Sequence, residues 1–144
     1  MAWPTSAELE DLVRRFRERT LPKKEWTHAA HLAVGTWHVW RYGPDRALAR
    51  LRTGIRRLND AHGTLNTDRS GYHETITRAY VSLIAQSLAA HPGPGAPVSC
   101  AQALLAGRMA ARDILLSYYS KDVLFSLTAR SGWVEPDRAP LRLP

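Results

Sequence analysis

The sequence predicts an all-α fold, a single-domain bundle of five to six helices that spans residues 1–144. Apolar residues recur at helical spacing along most of the chain, and helix-capping residues precede these segments. No alternation of polar and apolar residues is long enough to indicate a sheet strand. The tail over 133–144 contains three prolines and has no periodicity, so we expect it to be irregular.

The first two helices have clear start and stop signals. Thr5 and Glu8 have the spacing of a capping box, and Pro22 is expected to end the first helix. Thr27 is the next good N-cap, and the second helix is predicted to run to about Arg41. Its residues are apolar nearly all round, which places it in the middle of the bundle.

Two further helices follow, separated by a polar connection. A turn over 43–45 precedes the third helix, which is expected to end near His62 and Gly63, and the fourth is expected from about Tyr72 to Ala90.

The last third of the chain is predicted as two helices. After a proline- and glycine-rich connection, Ser99 and Gln102 have capping-box spacing for a helix that continues to Tyr119, with a break at Gly107. A short last helix is predicted from Ser120 through Arg130.

The chain is basic, with 20 Lys and Arg residues against 13 Asp and Glu residues and a net charge of +7. Its densest basic stretch alternates with leucines at helical spacing, which favours a solvated helix face over a phosphate-binding one. Since no aromatic residue lies among these arginines, nucleic acid is not favoured as a partner. The basic residues of this stretch are Arg46, Arg50, Arg52, Arg56 and Arg57.

The single cysteine, Cys100, excludes an internal disulfide framework and a cysteine-cluster zinc site. No apolar stretch reaches the length of a membrane span, and no secretory signal is visible at the start. A cytoplasmic protein without membrane contact is therefore expected. The oligomeric state stays open, with a homodimer as one alternative.

Three histidines are the main candidates for chemistry. His28 and His31 share one face in the first turn of the second helix, and His73 opens the fourth. Short connections make the second and fourth helices parallel, so their N-termini should meet at one end of the bundle. Burial and the helix N-terminus both favour neutral imidazole. The three rings are therefore predicted to bind one metal ion with an open position.

These residues predict a small metal-dependent enzyme that acts on a small polar substrate. Imidazole ligands suit one divalent Zn, Fe, Cu or Ni ion, and Glu74 would be a fourth ligand or the general acid/base. Arg130 could hold a substrate carboxylate or neutralise a helix C-terminus. One alternative is a metal-free lyase or isomerase that uses His73 and Glu74, and a further alternative is a basic nucleic-acid-binding module.

Two sequence blocks resemble a family of small, uncharacterised bacterial proteins. They are the WTHxxHL block at 26–32 and the GYHETxT block at 71–77. The resemblance implies no particular activity, but it groups the three histidines with Glu74, Thr77 and Arg130 as pocket residues. A weaker third block comprises Ser120, Leu124, Ser126, Ala129, Arg130, Pro136, Asp137, Pro140 and Leu141.

Overall fold

The structure, a computed structural model, describes residues 2–144. This part of the chain forms seven α-helices and three short 3-10 turns, without a strand, which confirms the all-α prediction. The helices are α1 (Ser6–Glu18), α2 (His28–Tyr42), α3 (Pro44–His62), α4 (Glu74–Ala90), α5 (Val98–Ala106), α6 (Lys121–Leu124) and α7 (Leu127–Ser131).

The first two helices begin where their caps predict. The Thr5 hydroxyl accepts a hydrogen bond from the Glu8 amide, and the Thr5 amide donates to the Glu8 carboxylate. The Thr27 hydroxyl accepts from the Ala30 amide at 3.1 Å. These bonds satisfy amide groups that have no partner within the first helical turn.

The last third of the chain differs from the prediction. Helix α5 ends at Ala106 instead of reaching Tyr119, and it has no side-chain cap. The expected capping residue Gln102 instead donates its side-chain amide to the carbonyls of Ala2 and Pro4. The predicted last helix is two short helices, because Ser126 caps a new start directly after α6.

Helix α2 is the centre of the bundle, as predicted, and it contacts α1, α3, α4 and α5. Ala33 and Val34 near its middle are fully buried. The tail over 133–144 is irregular but firmly attached, since the Tyr119 hydroxyl donates to the Val134 carbonyl and the Gln86 amide donates to the Leu141 carbonyl. Of the helices in residues 2–144, none has the length and apolar character needed to cross a membrane.

Helices α2 and α4 run in the same direction, as predicted, but they are offset along their axes. The ring of His28 lies opposite Tyr80, with centroids 5.7 Å apart, and Gly35 lies opposite Ile84. His73 precedes Tyr80 by seven residues, which corresponds to about 10 Å along a helix. The Gly35–Ile84 pair gives a smaller offset, of about 6 Å. The first turn of α4 therefore extends one to two turns past the N-terminal end of α2.

Candidate functional site

A cavity with a volume of about 1120 Å³ lies between α2, α3, α4 and the segment over 105–125. We call it the main cavity. Most of its wall is apolar, and the polar side chains His28, His31, Thr77 and Tyr80 interrupt it. Arg112 and Asp113 lie at its exposed edge; the apolar lining includes Leu32, Leu51, Ile55, Ile76, Val81, Ile84, Leu115 and Leu124.

His31 has one ring nitrogen fixed and the other free. Its Nδ1–H donates to the Thr27 carbonyl at 2.7 Å, and its ring stacks on Trp26 with centroids 3.7 Å apart. This bond selects the tautomer in which Nε2 is unprotonated. Nε2 has no hydrogen-bond partner among residues 2–144, and the residue is exposed. His31 thus presents a fixed acceptor to the main cavity.

The pKa of His31 is lowered to about 4, chiefly because the ring lies deep among protein atoms, and further by the nearby charges of His28 and Arg112. The bond to the Thr27 carbonyl acts in the opposite direction and only partly compensates. Although many protein atoms surround the ring, the residue is exposed and lines the main cavity. His31 is therefore neutral and accessible at pH 7.

His28 and Tyr80 stand next to His31 on the cavity wall. The His28 Nε2–H donates to the Met109 carbonyl at 2.9 Å, which joins α2 to the segment after α5. Burial raises the pKa of the Tyr80 hydroxyl, and the charge of Asp113 adds to this effect. Tyr80 has no hydrogen-bond partner in the described chain, so its protonated hydroxyl is available to donate to a ligand.

His73 does not join the other two histidines. It is the N-cap of α4: its Nδ1 accepts from the Ile76 amide at 3.1 Å, and its Nε2–H donates to the Leu124 carbonyl at 2.7 Å. Both ring nitrogens are thus engaged, and the ring does not line the main cavity. Within residues 2–144 no group of three or more His, Cys, Asp or Glu side chains is placed to hold a metal ion.

The expected acid/base Glu74 is also engaged elsewhere. Its carboxylate accepts two hydrogen bonds from the Arg52 guanidinium and one from the Tyr72 hydroxyl. These bonds, with Arg52 as the main cause, hold the pKa of Glu74 below its usual value. Glu74 does not line the main cavity. The structure therefore places Glu74 apart from His28 and His31.

Thr77 and Arg130 complete the predicted set. Thr77 lines the main cavity, while its hydroxyl donates to the His73 carbonyl at 2.8 Å. Arg130 lies outside the cavity, where its Nη1 donates to the carbonyls of Gly71 and Tyr72 at 3.3 Å each. The guanidinium therefore fastens the backbone before α4, instead of facing a substrate carboxylate in the main cavity.

Three predicted residues, His28, His31 and Thr77, thus line the main cavity, and His73, Glu74 and Arg130 support the fold around the start of α4. Sequence reasoning missed Tyr80, Arg112 and Asp113. Tyr80 belongs to the apolar stripe of α4, where a tyrosine ordinarily signals core packing. Arg112 and Asp113 lie between two 3-10 turns, in a segment that was predicted as helix after a break at Gly107.

Comparison with protein-family models, with curated proteins and with solved structures gives no match for this chain. The resemblance of the two sequence blocks to a bacterial family therefore stays a prediction.

Proposed function

We propose that the main cavity binds a small molecule with an apolar body and that His31 removes a proton from it, in a metal-independent isomerase or lyase reaction. The observation that carries the proposal is the unprotonated, unpartnered Nε2 of His31 in the wall of a large apolar cavity. The reaction class is that of the predicted metal-free alternative, but its residues differ, because His73 and Glu74 are engaged in structural bonds.

Two polar groups of the cavity wall that lack a hydrogen-bond partner within residues 2–144, His31 Nε2 and the Tyr80 hydroxyl, suit opposite roles. His31 Nε2 would take a proton from the carbon next to a carbonyl, and the electron pair of the broken C–H bond would move into an enolate. The Tyr80 hydroxyl would donate a hydrogen bond to the carbonyl oxygen as it gains negative charge. The proton on His31 would then pass to a second carbon in an isomerase, or to a leaving group in a lyase.

The environment of His31 defines what kind of base it is. A pKa of about 4 keeps Nε2 free of a proton at pH 7 but also makes it a weak base, so proton removal requires a substrate with an activated C–H bond. The same low pKa makes the protonated ring a strong acid that returns its proton readily. The fixed Nδ1 bond and the stacked Trp26 hold the ring in place, which reduces the entropy lost in reaching the reactive geometry.

A second candidate keeps a divalent ion and reduces the histidine set to two. His28 and His31 each donate one ring N–H to a backbone carbonyl, which is how metal-bound imidazoles are usually oriented. Two imidazoles supply half of the donors of a four-coordinate ion, so substrate or water would supply the rest. His73, the third expected ligand, does not fit this set because both of its nitrogens are engaged.

Binding can be tested with a matched pair of probes, 1-naphthol and 1-methoxynaphthalene. Both have the same apolar body, but only the naphthol can donate a hydrogen bond to His31 Nε2. Calorimetry should show that 1-naphthol binds about fivefold more tightly, the value of one net hydrogen bond of about 1 kcal/mol. The variant His31→Leu should remove this preference, whereas His91→Leu, outside the cavity, should retain it. Absence of binding by both probes would refute the proposal.

Proton removal can be tested with 2-tetralone in deuterium oxide. The exchange of its activated C1 protons for deuterium, followed by NMR, should be faster with the parent protein than with His31→Leu by about a hundredfold, the lower range of general-base catalysis. His91→Leu should match the parent. Equal exchange rates with the parent and His31→Leu would exclude His31 as the base, even if binding of 1-naphthol is confirmed.

A further inference from the structure

A second cavity, of about 600 Å³, lies between the end of α1, α2 and α3 and shares no lining residue with the main cavity. We call it the arginine pocket. Its wall contains the hydroxyl group of Thr53, the rings of Phe16, His38 and Tyr42, and no acidic side chain. Five of its lining residues are arginines: Arg17, Arg19, Arg46, Arg50 and Arg57.

None of these five arginines forms a salt bridge with a described residue. The contrast with the rest of α1 is clear, because Arg14 and Arg15 are paired with Asp11, Glu18 and Glu25. Like charges that converge without a carboxylate repel one another and destabilise the compact state. An anion in the pocket would turn this repulsion into attraction.

A buried polar group lies at the base of the arginine pocket. His38 is 3% exposed, and its Nδ1–H donates to the Val34 carbonyl at 2.8 Å. Its Nε2 has no partner in the described chain and is not sealed off, so it faces the pocket it lines. A ligand with a protonated oxygen would supply the hydrogen bond that Nε2 lacks.

The positions of two arginines are restricted by an aromatic ring. The guanidinium of Arg50 lies 4.1 Å from the centroid of the Tyr42 ring, and that of Arg46 lies 5.9 Å from it. Such cation–π contacts reduce the side-chain entropy that is lost when an anion binds. The basic stretch of α3 contains no aromatic residue. The aromatic ring beside its arginines comes from Tyr42, the last residue of the neighbouring helix α2.

The basic stretch of α3 is divided between two faces. Arg52 is paired with Glu74 and Arg56 lies over the ring of Tyr72, so both face α4. Arg46, Arg50 and Arg57 face the arginine pocket together with Arg17 and Arg19 of the α1 end. The arginines therefore converge on one concave site instead of forming a continuous track.

We propose that the arginine pocket binds a compact oligophosphate, the di- or triphosphate group of a small molecule. Guanidinium groups bind phosphate oxygens through two parallel hydrogen bonds, and five of them match several phosphates in one place. A nucleic-acid strand is disfavoured because three guanidinium groups, of Arg41, Arg46 and Arg50, lie over the ring of Tyr42. Phe16 and His38 are only 2% and 3% exposed, so the pocket offers little ring surface for base stacking.

The test uses inorganic tripolyphosphate, titrated into the full chain in 150 mM salt and followed by calorimetry. We expect one binding site per chain, with weaker binding of inorganic monophosphate. The double variant R50Q/R57Q should bind tripolyphosphate at least about tenfold more weakly, since it loses two charge-assisted contacts. The matched control R69Q/R108Q removes the same charge outside the pocket and should change the affinity by less than about twofold.

The substituted arginines are all exposed, so circular dichroism of each variant should show the helical signal of the parent. If the double variant R50Q/R57Q does not fold, the single variants R50Q and R57Q are measured in its place. Binding of 1-naphthol to the main cavity should be unaffected by R50Q/R57Q, which separates this proposal from the preceding one. The proposal is overturned if the parent does not bind tripolyphosphate, if both double variants lose the same affinity, or if a 20-nucleotide single strand binds more tightly than tripolyphosphate.

Discussion

Glu74 at the start of α4 and Arg52 in α3 form a two-point ion pair, with Nε–Oε1 at 2.8 Å and Nη2–Oε2 at 2.7 Å. The Tyr72 hydroxyl donates a third hydrogen bond to the same carboxylate. The side chain of Glu74 is 15% exposed, so water competes little for these bonds. The carboxylate that the sequence suggested for catalysis instead fastens the first turn of α4 to α3.

Replacing Glu74 by Gln should therefore destabilise the fold. The neutral amide loses the charge-assisted bonds to Arg52, and we expect the free energy of unfolding at pH 7 to fall by about 1–2 kcal/mol in urea titrations. Glu10→Gln removes the same charge from an exposed side chain without a hydrogen-bond partner and serves as the control. A Glu74→Gln variant as stable as the control would contradict this role.

The same pair should make stability depend on acid. Because the folded pKa of Glu74 is lowered, the pair stabilises the protein above the pKa of the unfolded carboxyl, about 4.5, and this contribution disappears as the pH falls through the lower folded pKa. The stability difference between parent and Glu74→Gln should therefore shrink between pH 5 and pH 3. A difference that stays constant over this range would argue against the ion pair as its source.

His73 should be a structural residue, and two substitutions can separate its two bonds. His73→Ala loses both the cap on the Ile76 amide and the bond to the Leu124 carbonyl, and should lower the free energy of unfolding by about 2 kcal/mol. His73→Asn can still cap α4 and should recover about 1 kcal/mol of that loss. Both variants should bind 1-naphthol as the parent does. Weaker naphthol binding in both would return His73 to the site.

The sequence predicted a helix start correctly where one hydrogen bond, between a capping side chain and a nearby backbone amide, determines that start. Thr5 and Thr27 cap α1 and α2 because the hydroxyl and its partner are three residues apart in the chain. The central place of α2 could also be predicted, since its surface is apolar nearly all round. Ser99 and Gln102 have similar spacing, but Gln102 finds carbonyls at the N-terminal segment, almost a hundred residues away in sequence.

The arrangement of the histidines could not be predicted, because it depends on how two helices are offset along their axes. Helical spacing shows that His73 is near an inward face, but side-chain packing between α2 and α4 sets the offset that places Tyr80 beside His28. The close contact between α3 and α1 at Gly54 could not be predicted from the sequence either. Only the structure shows that a Cβ there would lie 2.6 Å from the ring of Phe16, so that α3 approaches α1 closely.

Histidines whose pKa is lowered in the folded protein should make the fold sensitive to mild acid. Burial lowers the pKa of His38 to about 4, and the charges of Arg17 and Arg50 add to this. Below pH 6.5 the unfolded imidazole binds a proton that the folded ring does not bind, so stability falls as the pH falls, by up to about 1.4 kcal/mol per pH unit. His31 and His73, whose pKa values are also lowered, act in the same direction.

Urea titrations at pH 8, 6.5 and 5 can measure the His38 contribution. The variant His38→Gln should show a smaller loss of unfolding free energy than the parent between pH 6.5 and 5, whatever stability it loses at pH 8 through the substitution itself. This range lies above the pH at which Glu74 titrates, which separates the two effects. Equal pH dependence in parent and variant would show that the folded ring takes up its proton normally.

Metal analysis of protein purified without a histidine tag should distinguish the two candidate functions. The described chain brings His28 and His31 to the main cavity, with Asp113 at its exposed edge, but these side chains do not form a group of three that could hold an ion. Two imidazoles alone are too few to retain an ion through purification. We therefore expect fewer than about 0.2 ions of Zn, Fe, Cu or Ni per chain by mass spectrometry, with a tetralone exchange rate that a chelator does not reduce. One ion per chain that is lost in His31→Ala and retained in His73→Ala would establish the two-histidine metal site, since His73→Ala preserves both cavity imidazoles.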